Sequence, residues 1–430
     1  MNKKTENKAV SPWQWVPSLY FAQGIPYVVV MSVAVILFKR MGMSNTDIAL
    51  YTSGLNLPWV IKPLWSPLVD LLKTKRWWIV VMQILVGAGL AGIALTIQGP
   101  LAFRYCLAFM WLLAFSSATH DIAADGFYML GLNEKKQAYF VGIRNTFYRF
   151  AVIFGQGILV MFAGWLEQRY AREMPETAAI PQAWSLTFYL LTILFALLFV
   201  YHYLFLPHPR RDTCTLPPQQ ASAGRVFKEF LGTFTSFFQK KHIVSALIFI
   251  LLYRFAEAQL VKITSPFLLD TPATGGLALS TAEVGFIYGT IGVIALTIGG
   301  IVGGIAMARR GLKSCLWTMT IAMNLPNIVY LYLSFARPES IGIISGCVAI
   351  EQFGYGFGFT ALTYFMMLFS KGPQQTAHYA ICTGFMALGM MLPGMISGYI
   401  QELIGYQYFF LWIMLCTIPS FIAVKYIKLT

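Results

Sequence analysis

The chain has 430 residues, of which 57% are hydrophobic and only 11% are charged. Soluble domains contain about 25% charged residues, so this composition excludes an ordinary soluble protein and indicates a protein that folds in a membrane. The net charge of +14 is spread over short links between apolar segments. No basic block is long enough for a nucleic-acid surface, so we interpret the charge mainly as an orientation signal, with a secondary attraction to anionic membrane lipids.

Apolar segments of about twenty residues recur along the whole chain, and each could cross a hydrocarbon core of about 30 Å as a helix. The first segment follows a short basic start without a small-residue cleavage site, which predicts a retained helix and not a removable signal. Lysine and arginine are concentrated in the even-numbered links and near both ends, which predicts cytoplasmic N- and C-termini. The twelve predicted helices lie near residues 14–38, 46–71, 77–97, 102–131, 137–164, 183–206, 242–268, 281–307, 313–335, 339–369, 374–400 and 404–427.

A long polar interval at 207–241 divides these helices into six and six. Corresponding features recur in the two sets, since a basic turn follows both predicted helix 2 and predicted helix 8. A duplicated unit of this kind predicts an all-α integral membrane protein with two pseudo-symmetric six-helix bundles. The predicted domains are an N-terminal bundle, 1–206, a cytoplasmic linker, 207–241, and a C-terminal bundle, 242–430.

Four ionisable residues in predicted helices 4 and 5 lie where the bilayer core should be. Such a group costs about 2.5 to 3.5 kcal/mol on insertion scales, so we expect a chain that keeps several of them to use them. Asp121 and Asp125 share one helix face, and the antiparallel run of the helices places Asp125 level with Arg144 and Asp121 level with Arg149. These pairs could lock the two helices together, or one carboxylate could exchange its arginine for a proton or a cargo group.

A second group of ionisable residues lies in the other half. Arg254 and Glu257 are three residues apart in predicted helix 7, and Glu351 is expected at a similar depth in predicted helix 10. A buried carboxylate near a cation can gain or lose a proton when its surroundings change. Asp121 and Glu257 are therefore our first candidates for a proton carrier, with Asp125 and Glu351 as further candidates.

Several side chains are candidates for contacting a cargo molecule. Lys62 could meet an anionic cargo group, or it could pair with Asp70 or a helix C-terminus. Arg144, Arg149 and Arg254 could bind carboxylates by charge complementarity. Aromatic faces can stack on sugar rings, and the polar or aromatic residues of predicted helices 1 and 2 that we place toward a cavity are Tyr20, Gln23, Tyr27 and Asn56.

Other polar residues are expected to have structural roles or none in chemistry. His120 could relay protons or could be a hydrogen-bonded spacer beside Asp121, while Lys262 is expected to extend its ammonium to the membrane surface. We find no cysteine pair or histidine cluster at ligand spacing, so no metal or cofactor is expected. No nucleophile with a base and no phosphate-binding glycine loop is present, so we do not expect an enzyme.

Sequence motifs carry a family resemblance. The basic turns after predicted helices 2 and 8 resemble the signature loops of the major facilitator superfamily. Within that superfamily the chain resembles the AmpG-type muropeptide permeases, a group broadly related to acetyl-coenzyme A transporters. The segments that carry this second resemblance lie at 120–125, 148–149, 252–258, 265–268, 281–285, 375–380 and 392–394.

Some positions depart from the family pattern. The acidic residue expected before the basic pair Arg309 and Arg310 is replaced by Ala308, so Asp70 in the first half is left to form the conformational latch. His120 stands where the resemblance suggests glutamine, and the chain lacks the additional spans of some AmpG-type proteins.

The resemblance implies a specific function. It implies a proton-coupled, alternating-access importer in the bacterial inner membrane, acting as a monomer. The implied cargo is an anhydromuropeptide, which is N-acetylglucosamine linked to anhydro-N-acetylmuramic acid with or without peptide, carried for cell-wall recycling. A transporter of acetyl-coenzyme A or another anionic metabolite is the first alternative. A membrane sensor that binds wall fragments without moving them is the second, although the short loops and tails offer no output domain.

Overall fold

The computed structural model describes residues 11–209, 212, 231–232, 234–371 and 375–428. All regular secondary structure in these ranges is helical. Eight continuous helical stretches of the described chain are long and apolar enough to cross a membrane. The all-α membrane fold predicted from the sequence is therefore confirmed.

The two longest stretches, Thr281–Ala336 and Ala377–Tyr426, each contain one glycine with a non-helical backbone. Gly311 has φ 73° and Gly405 has φ 75°, values that favour glycine, and each separates two helices at a sharp kink. Two further helical segments, Asn45–Leu72 and Ile341–Phe369, lie outside the eight stretches. Apart from the short helical pieces at 231–232 and 234–238, the described helices thus form twelve rods, as many as the sequence predicts.

The first six rods precede residue 207. Three of them contain a segment that is not regular α-helix: α1 and α5 each include a π-helical turn, and α2 is broken at Leu55 and Asn56. Their bounds are α1, Pro12–Arg40 with the π-turn Val29–Val33; α2, Asn45–Gly54 and Leu57–Leu72; α3, Lys75–Thr96; α4, Ala102–Gly131; α5, Glu134–Val152, Ile153–Ile158 and Leu159–Tyr170; and α6, Glu176–Phe205.

The other six rods follow residue 242. α7 is broken at Tyr253 and Arg254, and α8 includes a π-helical segment. Their bounds are α7, Ile243–Leu252 and Phe255–Leu269; α8, Thr281–Val284, Gly285–Gly292 and 293–310; α9, 312–324, Leu325–Asn327 and Ile328–Ala336; α10, Ile341–Phe369; α11, 375–404; and α12, 406–415 and Ile418–Tyr426.

Because consecutive rods run in opposite directions, their links alternate between two ends of the bundle. We call the end that holds the start of α1 and the end of α12 the terminal end, and the opposite end the distal end. The distal end holds residues 41–44, 97–101, 171–175, 270–280, 337–340 and 405, whereas the terminal end holds 11, 73–74, 132–133, 206–209, 240–242, 311, 370–371 and 427–428.

The continuous helices predicted at 46–71 and 242–268 are corrected by the structure, because both α2 and α7 are broken near their middles. In α2 the break precedes Pro58, which lacks the N–H that would continue the helical ladder. In α7 the carbonyls of Leu252 and Tyr253 accept hydrogen bonds of 3.1 and 2.9 Å from the Ser420 hydroxyl of α12. This side chain satisfies backbone groups that would otherwise be exposed in an apolar environment.

Small residues allow close helix contacts in the second half. A Cβ atom on Gly303 of α8 would stand 2.8 Å from the Phe357 carbonyl oxygen of α10, so a larger residue would push the helices apart. A Cβ atom on Gly299 would also overlap the backbone of α10, at the Phe353 carbonyl oxygen, whereas Gly304 has open space at its Cβ position.

Candidate functional site

A charged centre in the first half joins three helices. Asp121 of α4 forms an ion pair with Lys62 of α2 and accepts a hydrogen bond from the Gln23 amide of α1. The Lys62 and Asp121 side chains are each 21% exposed, so the pair borders open space and is not sealed in the helix packing. A partly exposed ion pair of this kind can exchange one partner for a ligand.

A second ion pair lies one turn along α4. Arg144 of α5 approaches Asp125 to 3.3 Å, which is the pair that the sequence predicts. The Tyr20 hydroxyl of α1 donates to Asp125 at 2.9 Å and accepts from Arg144 at 3.0 Å. The Arg144 guanidinium also lies over the rings of Tyr20 and Tyr128, at 4.7 and 5.1 Å. These contacts hold the guanidinium in one orientation.

The predicted pair between Asp121 and Arg149 is wrong. α4 contacts both α1 and α2. The two carboxylate oxygens of Asp121 are bound by Gln23 of α1 and Lys62 of α2. Arg149 is five residues beyond Arg144 and points to another part of the helix circumference, about 140° away. It is half-buried and forms no ion pair with a described residue.

The break in α7 places an arginine in the second half. Arg254 ends the break, and its guanidinium donates a hydrogen bond to the Tyr355 hydroxyl of α10. The guanidinium also lies over the rings of Tyr355 and Phe359, at 5.0 and 4.8 Å. Its Nε is buried and has no hydrogen-bond partner among the described residues, so the described contacts leave this donor unused.

Two carboxylates lie close to this arginine. Glu351 of α10 accepts hydrogen bonds from the Tyr330 hydroxyl at 3.1 Å and from the Gln352 amide at 2.9 Å. Glu257 and Glu351 are only 3% and 1% exposed. One oxygen of each, Oε2 of Glu257 and Oε1 of Glu351, has no hydrogen-bond partner in the described part of the chain.

The two centres face one interior space. Tyr27, in the middle of α1, interacts electrostatically with Arg254 of the second half and with Asp121 and Lys62 of the first. It is nevertheless 37% exposed, so its side chain borders open space, which we call the central cavity. The Tyr27 ring contacts Trp59 edge to face at 5.2 Å, so aromatic surface lines the same cavity.

Three other predicted residues have different surroundings. Asn56 lies at the break of α2, where its amide donates to the Ser53 carbonyl at 3.1 Å. Lys262 is only 4% exposed, so the expectation that it reaches the membrane surface is wrong; its position in the packed part of α7 covers the whole side chain. His120 points away from Asp121, and its Nε2 lies 3.1 Å from the Gln83 amide of α3.

A polar cluster at the distal end, which we call the distal latch, was not predicted from the sequence. Lys39 of α1 pairs with Asp270, the residue after α7, at 2.7 Å and donates to Asn45 at 2.8 Å. The Tyr406 hydroxyl donates to Asp270 at 2.5 Å, and Asn45 donates to Gln401 at 2.6 Å. The cluster therefore joins α1 and α2 to α7, α11 and α12. Its signal in the sequence was a lysine at the end of a predicted helix, which is common and unspecific.

A second distal contact involves α5 and α8. Glu167 pairs with Arg40 at 3.1 Å and accepts a hydrogen bond of 2.7 Å from the Thr281 hydroxyl, which begins α8. Nearby the two π-helical segments meet so closely that a Cβ on Gly157 would stand 3.1 Å from the Gly289 carbonyl oxygen. Backbone contact at this crossing closes the distal end on its other side.

The predicted terminal latch is not formed by described contacts. The Asp70 side chain lies outside the described residues. Arg309 and Arg310 are exposed at the end of α8 and make no ion pair with the described chain. Every hydrogen bond and ion pair between described residues of the two halves lies at the distal end. The central cavity is thus closed at the distal end.

Comparison with known proteins identifies the family. Residues 18–377 match the Major Facilitator Superfamily. The putative transporter AmpG 4 of Rickettsia conorii is 25% identical over 95% of both chains. The anhydromuropeptide permease of Escherichia coli K12 is 24% identical over 94% of this chain and 77% of its own length, so the resemblance to AmpG-type permeases is confirmed.

A solved structure adds a likeness of fold. The crystal structure of the nucleoside transporter NupG superposes with a TM-score of 0.70 at 16% identity and covers 97% of this chain and 99% of its own. With the twelve-rod fold and the match over most of its length, this multi-pass membrane protein is a transporter for a small molecule, and it belongs to the Major Facilitator Superfamily.

Proposed function

We propose that the protein is a proton-coupled, alternating-access importer of anhydromuropeptides for cell-wall recycling. One observation carries the proposal: charged and aromatic side chains from both halves border a single interior cavity, with Tyr27 between Arg254 and the pair formed by Lys62 and Asp121. The names of two relatives support the cargo class, since one is called an anhydromuropeptide permease and the other a putative transporter AmpG 4.

The cavity offers chemistry that suits such a cargo. An anhydromuropeptide has apolar sugar faces, hydroxyl groups and carboxylates: the lactyl carboxylate of muramic acid when no peptide is attached, and those of the peptide when it is. Guanidinium and ammonium groups form strong charge-assisted hydrogen bonds. The carboxylates would therefore be bound by the cations of the cavity, which are Lys62, Arg144, Arg149 and Arg254. Tyr20, Gln23, Tyr27 and Asn56 would contact the sugar portion, with the rings of Tyr27 and Trp59 available for stacking.

Coupling would use acids that border the same cavity. Asp121, Asp125, Glu257 and Glu351 are the candidates, because each can gain or lose a proton when its partners move. In the first half, a cargo carboxylate that forms an ion pair with Lys62 would leave Asp121 without its cation. Asp121 would then need another donor, either a proton or a hydroxyl or amide group of the cargo.

The distal latch would be one of two gates. We propose that the halves, 1–206 and 242–430 joined by a cytoplasmic linker at 207–241, rock about the central site. With the distal end closed, cargo would leave the cavity through the terminal end, which faces the cytoplasm if both termini are cytoplasmic. Asp70, Arg309 and Arg310 would hold the terminal end closed in the opposite state. The location would be the bacterial inner membrane, with the protein acting as a monomer.

An uptake experiment tests the cargo. Purified protein in lipid vesicles would be given radiolabelled N-acetylglucosamine-anhydro-N-acetylmuramic acid, with and without attached peptide, or labelled acetyl-coenzyme A. We expect saturable uptake of the muropeptide that the unlabelled compound suppresses. Uptake of acetyl-coenzyme A alone would favour the first alternative, and saturable binding without uptake would favour a sensor.

A further inference from the structure

Each half has a side-chain hydrogen bond between its first and its fourth helix. In the first half Tyr20 of α1 bonds to Asp125 of α4, and in the second half Arg254 of α7 bonds to Tyr355 of α10. α1 and α7 are each the first helix of a half, and α4 and α10 are each the fourth. The register of the two contacts can therefore be compared residue by residue.

The equivalence extends to the next polar pair. On the first helix of each half, the residue three positions after the bonded one is Gln23 in the first half and Glu257 in the second. On the fourth helix, the residue four positions before the bonded one is Asp121 in the first half and Glu351 in the second. The hydrogen bond between Gln23 and Asp121 thus corresponds to the juxtaposition of Glu257 and Glu351. Where the first half has an amide beside a carboxylate, the second half has two carboxylates.

The charges of the two centres differ as a result. In the first half each acid has a cation, because Asp121 pairs with Lys62 and Asp125 pairs with Arg144. In the second half neither glutamate pairs with a described lysine or arginine. The cation that acts on Glu257 is Arg254, whose described hydrogen bond and ring contacts are with Tyr355 and Phe359 instead.

The titratable and charged groups around the glutamates can be named. Arg254 and Glu351 act electrostatically on Glu257. Tyr288 of α8, Tyr330 of α9 and Tyr355 of α10 also interact with the pair. Lys262 is five residues beyond Glu257 and points about 140° away around α7. One arginine therefore acts on one of the two acids, Glu257, and three neutral phenols lie around the pair.

Two ionised carboxylates are costly in such a place. An isolated buried carboxylate is strongly disfavoured, and two that share a site do not both ionise readily. Glu257 and Glu351 are almost fully buried, and each keeps one oxygen without a hydrogen-bond partner in the described chain. A proton held between these free oxygens would satisfy both and remove the like charge. In this state the proton would be occluded from water.

We propose that the Glu257 and Glu351 pair carries the coupling proton, and that Asp121 serves cargo binding; this assignment rests on the proposed function. A hydronium ion on the loading side gives its proton to one carboxylate, forming a carboxylic acid and water. When the cavity opens to the other side, the acid returns the proton to a water molecule there. Lys62 and Asp121 balance each other's charge, so this pair needs no added proton. When cargo binds, its groups replace the contact between the two side chains.

Transport assays separate the two roles. Vesicles containing Glu257→Gln, Glu351→Gln or Asp121→Asn protein would be tested for exchange of labelled muropeptide without gradients, and for accumulation under an inside-alkaline pH gradient. We expect the two glutamine variants to retain exchange and lose accumulation, and Asp121→Asn to lose both. Glu339→Gln, an exposed acid in the link after α9, is the matched control and should behave as wild type.

A second measurement needs no cargo. Infrared difference spectroscopy of purified protein detects the carbonyl stretch of a protonated carboxylic acid. We expect this band in wild type and Glu339→Gln at neutral pH, and its loss or shift in both Glu257→Gln and Glu351→Gln. An unchanged band in both variants would overturn the assignment, as would full pH-driven accumulation by both or accumulation driven by sodium alone. Wild-type protein that shows the band but moves no muropeptide would refute the proposed function and leave the shared proton standing.

Discussion

Lys39 of α1 and Asp270 at the end of α7 form a 2.7 Å ion pair that joins the two halves at the distal end. Their side chains are 14% and 19% exposed, so the pair is shielded from solvent more than a typical surface pair. Tyr406 and Asn45 contact the same two side chains. The pair can therefore stabilise the closed distal end in a way that an isolated surface ion pair could not.

The first prediction concerns this pair. Lys39→Met and Asp270→Asn should each raise the fraction of molecules with an open distal end, because each leaves one buried charge without its partner. The double variant should show coupling of about 0.5 to 3 kcal/mol between the two changes, the range for residues in contact. Electron–electron distance measurements between spin labels at the ends of α1 and α7 report the opening.

Glu176→Gln is the control for the latch. Glu176 contacts Arg40 in the same region at 3.0 Å, but its side chain is 68% exposed. Its removal should leave the distance distribution unchanged. Equal opening in Glu176→Gln and Asp270→Asn would mean that surface charge in general, and not the latch, sets the conformation.

The second prediction concerns Lys62. Lys62→Met should weaken muropeptide binding by about tenfold or more, since a charge-assisted hydrogen bond contributes about 1.5 to 3 kcal/mol. Lys62→Arg should retain part of the affinity. The double variant Lys62→Met, Asp121→Asn should recover the folding stability that the single lysine change loses, because no unpaired charge is left.

Binding and stability must be measured together for this test. Tryptophan fluorescence on titration with muropeptide gives the affinity, and thermal unfolding in detergent gives the stability. We expect the double variant to be stable and still unable to bind. Recovery of binding in the double variant would show that Lys62 only neutralises Asp121 and does not contact cargo.

The third prediction concerns the crossing of α5 and α8. A methyl group on Gly289 would overlap the Gln156 carbonyl oxygen and stand 2.6 Å from the Gly157 nitrogen. Gly289→Ala should therefore open the distal end, since overpacking of a tight contact costs about 1 to 3 kcal/mol. Labelling of an engineered cysteine in the cavity by a reagent added on the distal side measures this opening. Gly304→Ala, on the same helix with open space around its Cβ, should label as slowly as the parent protein.

The fourth prediction concerns the break in α7. Ser420→Ala should destabilise the fold by about 1 to 3 kcal/mol, because the carbonyls of Leu252 and Tyr253 would lose their donor. Thermal unfolding of the purified protein measures the loss. Ser245→Ala removes a hydroxyl that bonds the His242 carbonyl at the start of α7 and should cost less, since water can reach that helix end. A stable Ser420→Ala protein would mean that another donor satisfies the break.

The sequence predicted much of this architecture because the bilayer constrains it strongly. Apolar segments must be helical and of nearly fixed length, so the helix order followed from hydropathy. The pair of Asp125 and Arg144 followed from helix periodicity and from the short link between α4 and α5. Both relations are local, so they can be derived from a single sequence.

Relations between distant helices could not be derived in this way. Lys62 lies 59 residues before Asp121, and its place beside α4 depends on how α2 turns after its break. The break in α7 involves a tertiary contact, the hydrogen bonds from Ser420 of α12. The distal latch joins residues from five helices, and no local pattern marks its members.

Uptake under an imposed gradient tests the central claim most directly. Vesicles containing the protein would receive labelled N-acetylglucosamine-anhydro-N-acetylmuramic acid under an inside-alkaline pH gradient, with and without a protonophore. We predict accumulation above the external concentration that the protonophore reduces to simple equilibration. Equilibration alone in both conditions, or accumulation that the protonophore leaves unchanged, would contradict a proton-coupled importer of muropeptides.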